Sequence, residues 1–535
     1  MASIKRLITS TTAAALVAFA WFAEATGAPE TSSLTPLSYD VQVAQLLNRL
    51  RDQAPFGTLE IDNVQIVDPT TGSITRGSTI IVRGTRIAWA GPASQAPHVD
   101  GGVKIDGRGR FATPGLTDMH IHSGRADGML LNMAAGVTTV RDMDGFPWML
   151  RMRGQINAGR MLAPTAYVAG TILAAAPLDG YAVVVANPSD ARRVVRQQAA
   201  CGYDFIKVHN ILPERDLDAI AEQAHALGMD LVGHVPHDIS LDHALHVDRM
   251  RTVEHLKGFL IDQTLFPSDE DYASALANTQ TWITPTLYTR RGYERGDWAR
   301  GVLAGPLATY APPQTRARWA ELIAHPSERD LTLGPRFKNT QGIVMKRLVP
   351  LHPHWLTGTD AEGYAFNVMG FALLDEMHLM QSEGVSAPDV VRASTSEAAA
   401  AMHEAGEFGI IAKGARADIV LLDRNPLQDA AAFEHNQGVM VHGHWLDRGT
   451  IDQSLHDLAA IYADGRPVPG ASTGAVRDLL AQIAKLQADG FVFDDSKLAA
   501  LSDALKKSDP ALSEAVEALE VAAPGSACYV PPPTD

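Results

Sequence analysis

Thr117-Asp118-Met119-His120-Ile121-His122 sets two imidazoles two residues apart in a short run of strand-forming character. Residues i and i+2 of a strand share a face, so His120 and His122 point to one side and can grip one ion together. Taken alone, His-x-His is more often structural, and His352-Pro353-His354 shows how readily the spacing arises by chance. The pair gains meaning from its company. Lys207, His234, His255 and Asp360 follow in order, each where a strand of a repeating β/α pattern ends.

Working outward, eight strand-like runs each precede a helical or loop stretch. They begin at Gly115, Gly136, Thr165, Asp204, Asp230, Arg251, Thr281 and Trp355. Short β-branched runs separated by crossover helices read as buried parallel strands, and eight such units are what a (β/α)₈ TIM-like barrel requires. Residues 217–227 illustrate the helical partner, with apolar Leu217, Ile220, Ala221, Ala224 and Leu227 on one stripe. The steps from Lys207 to His234 and from His234 to His255 are 27 and 21 residues, about one β/α unit each. Singly, Lys207 could be a core-edge lysine, His234 and His255 satisfied structural histidines, and Asp360 a helix cap. Placed together at strand ends 1, 4, 5, 6 and 8, the working rim of such barrels, they read as a metal site.

Residues 58–112 alternate short Val/Ile runs with Gly, Asp and Pro turns, and the same texture returns in 401–448. One small β-sandwich domain built from both flanking segments is expected, with 113–400 inserted as the barrel. The stretch from Tyr288 to Pro350 is too long for a connection, and it reads as a helical excursion over the barrel mouth. Residues 449–535 form a C-terminal extension with helical patterns at 476–486 and 497–505. Its stripe of Leu479, Leu480, Ile483 and Leu486 would pack on the barrel or on a neighbouring subunit, and a homo-oligomer is compatible with it.

The formal charge of −16 gives no basic footprint, so nucleic-acid binding is not expected. Cys201 and Cys528 are the only cysteines: a disulfide framework is excluded, and one long-range bridge is left open. Residues 1–28 have the layout of a secretory signal, with Lys5-Arg6, an uninterrupted apolar stretch from Ala13 to Ala23, and Ala23-Glu24-Ala25 as the cleavage site. The apolar stretch is shorter than the ~20 residues a spanning helix needs, so export to the periplasm or medium is expected, with no integral membrane segment in the mature chain. An uncleaved tether is the other reading.

From about residue 58 to 448 the chain resembles the amidohydrolase superfamily, in particular its imidazolonepropionase-like and prolidase-like members. The motifs that carry the likeness are Thr113-Pro-Gly-Leu-Thr-Asp-Met-His-Ile-His, Gly136-Val-Thr-Thr-Val-Arg-Asp, Phe205-Ile-Lys-Val, Gly233-His-Val, Val253-Glu-His, Thr357-Gly-Thr-Asp-Ala and Gly414-Ala-Arg-Ala-Asp-Ile-Val. The resemblance implies that His120, His122 and Asp360 bind a buried metal ion and that His234 and His255 bind a second. Lys207, carboxylated by CO₂, would bridge the two.

The residue types suit that assignment. Imidazole and carboxylate favour Zn²⁺ and its first-row neighbours, so two divalent ions, Zn²⁺ foremost, are the expected cofactors. An unmodified lysine would add a cation beside two cations, whereas a carbamate supplies an anion with one oxygen for each metal. Water bridging the metals would fall from a pKa of about 15.7 to about 7 and attack an amide carbonyl, with Asp360 carrying its proton to the leaving nitrogen.

For substrate contacts the candidates are His209, His237 and Tyr288. Arg290 and Arg291 are candidate partners for a substrate carboxylate. The expected activity is hydrolysis of small amides or short peptides: dipeptides, N-acyl amino acids or related amides, including fungal-toxin amides. A mononuclear imidazolonepropionase-type cyclic-amide hydrolase or deaminase is the alternative, and an inactive exported binding protein on the same fold the remote one.

Overall fold

The computed structural model describes residues 34–122, 124–178, 182–259, 269–463, 473–506, 509–521 and 528. The signal-like segment 1–28 lies outside the described residues.

Seven of the eight strand-like runs contain strands, and the eighth overlaps one only at Trp355. The strands are β1 (Leu116–Ile121), β2 (Val137–Asp142), β3 (Thr165–Val168), β4 (Phe205–Val208), β5 (Asp230–Gly233), β6 (Thr252–Glu254), β7 (Trp282–Thr284) and β8 (His354–Trp355). Every pairing between consecutive members is parallel: β1–β2–β3 form one sheet, and β4 to β8 are neighbours in order within another. Two isolated parallel bridges lie between the sheets, Ala169 with Phe205 and Ile121 with Ala361. Backbone hydrogen bonds accompany them, from Gly170 N–H to the Phe205 carbonyl (2.9 Å) and from Met119 N–H to the Thr357 carbonyl (2.9 Å). The arrangement is an α/β fold of parallel strands compatible with a TIM-like barrel. Because both faces of these strands are covered, β1, β2 and β4 are buried at every position, which explains their continuous apolar reading.

The flanking segments meet in one eight-stranded sheet. Phe111–Pro114 pairs in parallel with Thr58–Asp68 and antiparallel with Ile419–Leu422, stitching together segments three hundred residues apart. Alternate side chains, among them Leu59, Ile61, Ile80, Val82, Ile419, Leu421 and Met440, converge in one apolar cluster. The strands of both flanking segments are joined in one hydrogen-bonded sheet, with Phe111–Pro114 as a shared central strand; two separate sheets of a sandwich are not resolved among the described residues.

The helix expected over 217–227 runs from Glu214 to Ala226, with Leu217, Ile220, Ala221 and Ala224 buried. Leu227 falls at its C-cap and is exposed. The 288–350 excursion is helical, with Asp297–Ala304, Pro313–Ala324 and Glu328–Leu348. The last begins at a capping box in which Ser327 and Asp330 bond reciprocally.

Two features were not anticipated. Leu34–Gln53 is a helix, and the stripe of Leu479, Leu480, Ile483 and Leu486 on Thr473–Ala488 shares an apolar cluster with its Leu37 and Leu47. Gln45 Nε2 donates to Gln482 Oε1 (3.3 Å), and Lys497 Nζ to Asp40 Oδ2 (2.5 Å), so the C-terminal extension packs on this N-terminal helix. Cys201, at the end of helix Pro188–Cys201, is disulfide-bonded to Cys528, which fixes the tail to the body.

Candidate metal centre

β1 and β8 bring three donor atoms together. His120 Nε2 lies 3.2 Å from His122 Nε2 and 3.4 Å from Asp360 Oδ1, and His122 Nε2 lies 2.8 Å from the same oxygen. Lys207 Nζ, from β4, is 3.4 Å from His120 Nε2. Ligands at tetrahedral Zn²⁺ with bonds of about 2.0–2.1 Å sit roughly 3.3 Å from one another. The His120, His122 and Asp360 atoms therefore have the spacing of a coordination shell, with Lys207 Nζ beside His120, and the donor set fits a divalent cation.

Local backbone explains the convergence. Gly358 lets β8 approach β1, since a Cβ there would stand 2.6 Å from Thr284 Cγ2 and 2.8 Å from His120 Cβ. Asp360 and His255 both have φ of +58°, in the left-handed region, at a cost of order 1–3 kcal/mol each. They are held there by backbone hydrogen bonds, Asp360 N–H to the His120 carbonyl (2.8 Å) and His255 N–H to that of Thr284 (2.9 Å). Gly233, at φ +127°, turns the chain into His234 where a Cβ would meet the Val208 carbonyl at 2.3 Å.

His234 and His255 stand beside this group. Their ring centroids are 4.8 Å apart, and His255 is 4.5 Å from His120. His234 Nδ1 is 2.5 Å from Asn210 Oδ1, and His255 Nδ1 is 2.6 Å from Thr286 Oγ1. A side-chain oxygen on Nδ1 leaves Nε2 of each ring as the available ligand atom.

Beneath lies a buried network. Glu254 Oε2 accepts from His120 Nδ1 (2.8 Å), while its Oε1 accepts from Arg141 Nη2 (2.7 Å). Arg141 also donates to the Met119 carbonyl (2.7 Å) and to Thr252 Oγ1 (3.0 Å). Asp118 locks β1 to β8 by accepting from Thr359 Oγ1 (2.7 Å) and Thr359 N–H (3.1 Å).

Burial pushes the Lys207 ammonium down to about 8, against the attraction of Glu254 and Asp360. Burial also takes His120 to about 4, with Lys207 adding to the shift, and holds His234 and His255 well below the usual imidazole range. Burial would raise Asp360, yet His255, His120 and His122 together keep it well below the carboxylate range. Burial would lower His122 too, but its contact with Asp360 raises it above the usual imidazole range. Neutral His120, His234 and His255 and an ionised Asp360 are protonation states that metal binding needs.

The other sequence candidates sort differently. His209 packs on His234 with centroids 4.4 Å apart, and its buried Nδ1 has no hydrogen-bond partner among the described residues. His237 is exposed and accepts from Asn210 Nδ2 (2.8 Å), one step outside His234. Tyr288 lies in the core, its hydroxyl donating to the Phe366 carbonyl (2.9 Å). Arg290 pairs with Glu383 (2.8 Å), and Arg291 with Glu294 (2.8 Å) while lying over the Trp298 ring. These three side chains serve the packing of the excursion.

Sequence reasoning passed over Glu254, Arg141, Asn210, Thr286 and Lys257. Arg141 and Glu254 stand within the quoted motifs Gly136-Val-Thr-Thr-Val-Arg-Asp and Val253-Glu-His, so a signal was present without a role attached. Lys257 is half-buried and has no ion-pair or hydrogen-bond partner among the described residues for its ammonium. Its charge acts on His209, His234 and Asp360.

Residues 352–446 match the model of the Amidohydrolase family. An adenine deaminase of Cenarchaeum symbiosum is 41% identical over 64 residues, so the match covers 12% of this chain but only 10% of that protein's length. An imidazolonepropionase of Streptomyces coelicolor is 23% identical over 380 residues, covering 66% of this chain and 89% of its own. Among solved structures, bottromycin amidohydrolase matches with a TM-score of 0.65 and 24% identity, over 78% of this chain and 93% of that one. A Xaa-Pro dipeptidase matches with a TM-score of 0.57 and 21% identity, over 73% and 100%. The chain is thus similar in its residues 352–446 to the Amidohydrolase family, and in fold to these solved amidohydrolases and dipeptidases.

Proposed function

We propose that this protein is an exported, metal-dependent hydrolase of amide bonds, acting on dipeptides, N-acyl amino acids or related amides. The observation that carries the reading is the approach of Lys207 Nζ, buried, to the shell of His120, His122 and Asp360. In this assignment His120, His122 and Asp360 would hold one divalent ion and His234 and His255 a second, with Lys207, carboxylated, as a further anionic ligand. The strands are read as a closed (β/α)₈ barrel with 58–112 and 401–448 as the small β domain. The disulfide between Cys201 and Cys528 supports an oxidising destination.

When bound, the metal ions polarise the scissile carbonyl and supply an acidified water at neutral pH. The chain's own groups do the rest. Asp360, flanked by His122 and His255, accepts a proton from the attacking water and returns it to the leaving nitrogen. Glu254 keeps His120 in the tautomer with Nδ1–H donating to it, which leaves Nε2 as the ligand atom. With Arg290 and Arg291 already paired, we assign a substrate carboxylate to Lys257, whose charge acts on His209 and Asp360.

The second reading, a mononuclear cyclic-amide hydrolase or deaminase, is favoured by the names of the curated relatives. Metal analysis beside a screen of N-acyl amino acids, Xaa-Pro dipeptides, cyclic amides and adenine-type bases separates the two. Two ions per chain with amide cleavage supports the first, and one ion with turnover only of rings or bases supports the second.

A further inference from the structure

Asp142, Asp144 and Tyr203 form a buried polar group at the end of β2 that the proposed chemistry does not use. They are 1%, 2% and 5% exposed. Asp142 Oδ1 accepts from Asp144 N–H (2.9 Å). Asp142 Oδ2, Asp144 Oδ1 and the Tyr203 hydroxyl have no partner among the described residues. Burying carboxylate oxygens unpaired is costly, and sites that carry such a cost are commonly functional.

The group sits against the metal centre. Met143 N–H, between the two aspartates, donates to the Ile121 carbonyl (2.8 Å) next to His122, and a Cβ at Gly145 would stand 2.9 Å from Tyr203 Cε1; His122 and Lys207 carry the opposite charges acting on Asp144. Neither carboxylate orients the nearby imidazole, because His122 Nδ1 is itself without a hydrogen-bond partner among the described residues. Two carboxylate oxygens and a hydroxyl match a group with several N–H donors and a positive charge. In an amide substrate, the α-ammonium of a free N-terminal residue is one carbon from the scissile carbonyl. Its acceptor must therefore lie near the metal ligands, and the end of β2 that carries Asp144 is bonded to the end of β1 next to His122.

Resting on the amidase reading above, we infer that Asp144, supported by Asp142 and Tyr203, binds the α-ammonium of the substrate and selects unblocked dipeptides over N-acyl amino acids. Lys257, from the segment after β6, would take the opposite end of the same zwitterion.

Glycyl-L-leucine and N-acetyl-L-leucine differ only by that ammonium, so they test the inference with the metal-loaded protein. The expected result is a kcat/KM at least tenfold higher for glycyl-leucine. D144N should lower it at least tenfold more than it lowers that for acetyl-leucine, mostly through KM, with unchanged metal content. Y203F should move the ratio the same way by a smaller factor, which keeps the test intact should D144N fail to fold. Equal kcat/KM on the two compounds, or variants that lower both in parallel, overturns the inference and leaves the amidase reading standing. Should neither compound be cleaved, the amidase reading loses its support here, and calorimetric titration of both into the holoprotein decides the cation site alone. Tenfold tighter binding of glycyl-leucine, lost in D144N, sustains it, and equal affinities overturn it.

Discussion

Replacing Glu254 with glutamine keeps the side chain's shape and removes one buried charge, so the E254Q variant isolates what that charge does. Glu254 is fully buried and accepts from His120 Nδ1 and Arg141 Nη2 at 2.8 and 2.7 Å. In the variant Arg141, itself 1% exposed, would keep the Met119 carbonyl and Thr252 Oγ1 but lose its only counter-charge among the described residues. Breaking a buried pair from one side costs about 3–5 kcal/mol. That is a large part of the ~5–15 kcal/mol by which folded proteins are stable. The same change loosens the tautomer of His120, and lost support of this kind typically lowers metal affinity about 10–100-fold. Burial opposes ionisation of Glu254, but Arg141 and then His120 hold its carboxyl below the usual range. A depressed folded-state value stabilises fully above the unfolded value of about 4.3, and the contribution is lost as pH falls through the folded one. The gap between wild type and E254Q should accordingly be full at pH 7 and narrow only below about pH 4. Urea unfolding of the metal-stripped proteins reads the first effect, and chelator competition the second. Unfolding free energies within 1 kcal/mol together with metal affinities within about twofold would refute the reasoning.

Three further outcomes are expected. D360N should keep the thermal transition within a few degrees while kcat falls by about 10²-fold or more, as loss of a proton-transfer group predicts; near wild-type turnover rules out the shuttle. K257M should raise KM about tenfold or more for substrates with a free carboxylate and much less for their C-terminal amides, which steady-state kinetics on matched pairs can read. Glu376 is buried where it accepts from Leu287 N–H (2.9 Å) and Tyr288 N–H (2.6 Å), and burial pushes it up to about 8. Its raised value means that the folded state holds a proton the unfolded chain lacks, so stability falls as pH rises from about 4.5 to 8. The urea midpoint of wild type should fall more steeply over that interval than that of E376Q, and parallel slopes would exclude the assignment.

The eight strands and the six candidate ligands were legible because each is a local signal: a short β-branched run, then a side chain able to bind metal. Partners brought in from distant strands were not. Glu254 and Arg141 stand 113 residues apart, and nothing in either segment announces a buried ion pair. Tyr288, Arg290 and Arg291 illustrate the converse, because a position just past β7 does not reveal that Phe366, Glu383 and Glu294 consume their polar atoms. The composite β region was readable from its alternation, but the joining of its strands in one sheet depends on Phe111–Pro114 pairing on both edges. The stripe of Leu479 and Ile483 was evident as a helix face, while its partner, Leu34–Gln53, was not recognised as a helix at all. Its weakly patterned sequence follows the signal-like segment.

The most direct test of the proposal is the electron density at Lys207 in a high-resolution crystal structure of the metal-loaded protein. The account predicts a carboxylated side chain whose two oxygens each contact one of two ions, roughly 3.5–4 Å apart, within the shell of His120, His122, His234, His255 and Asp360. An unmodified amine beside one ion, or turned away from the histidines, would contradict it.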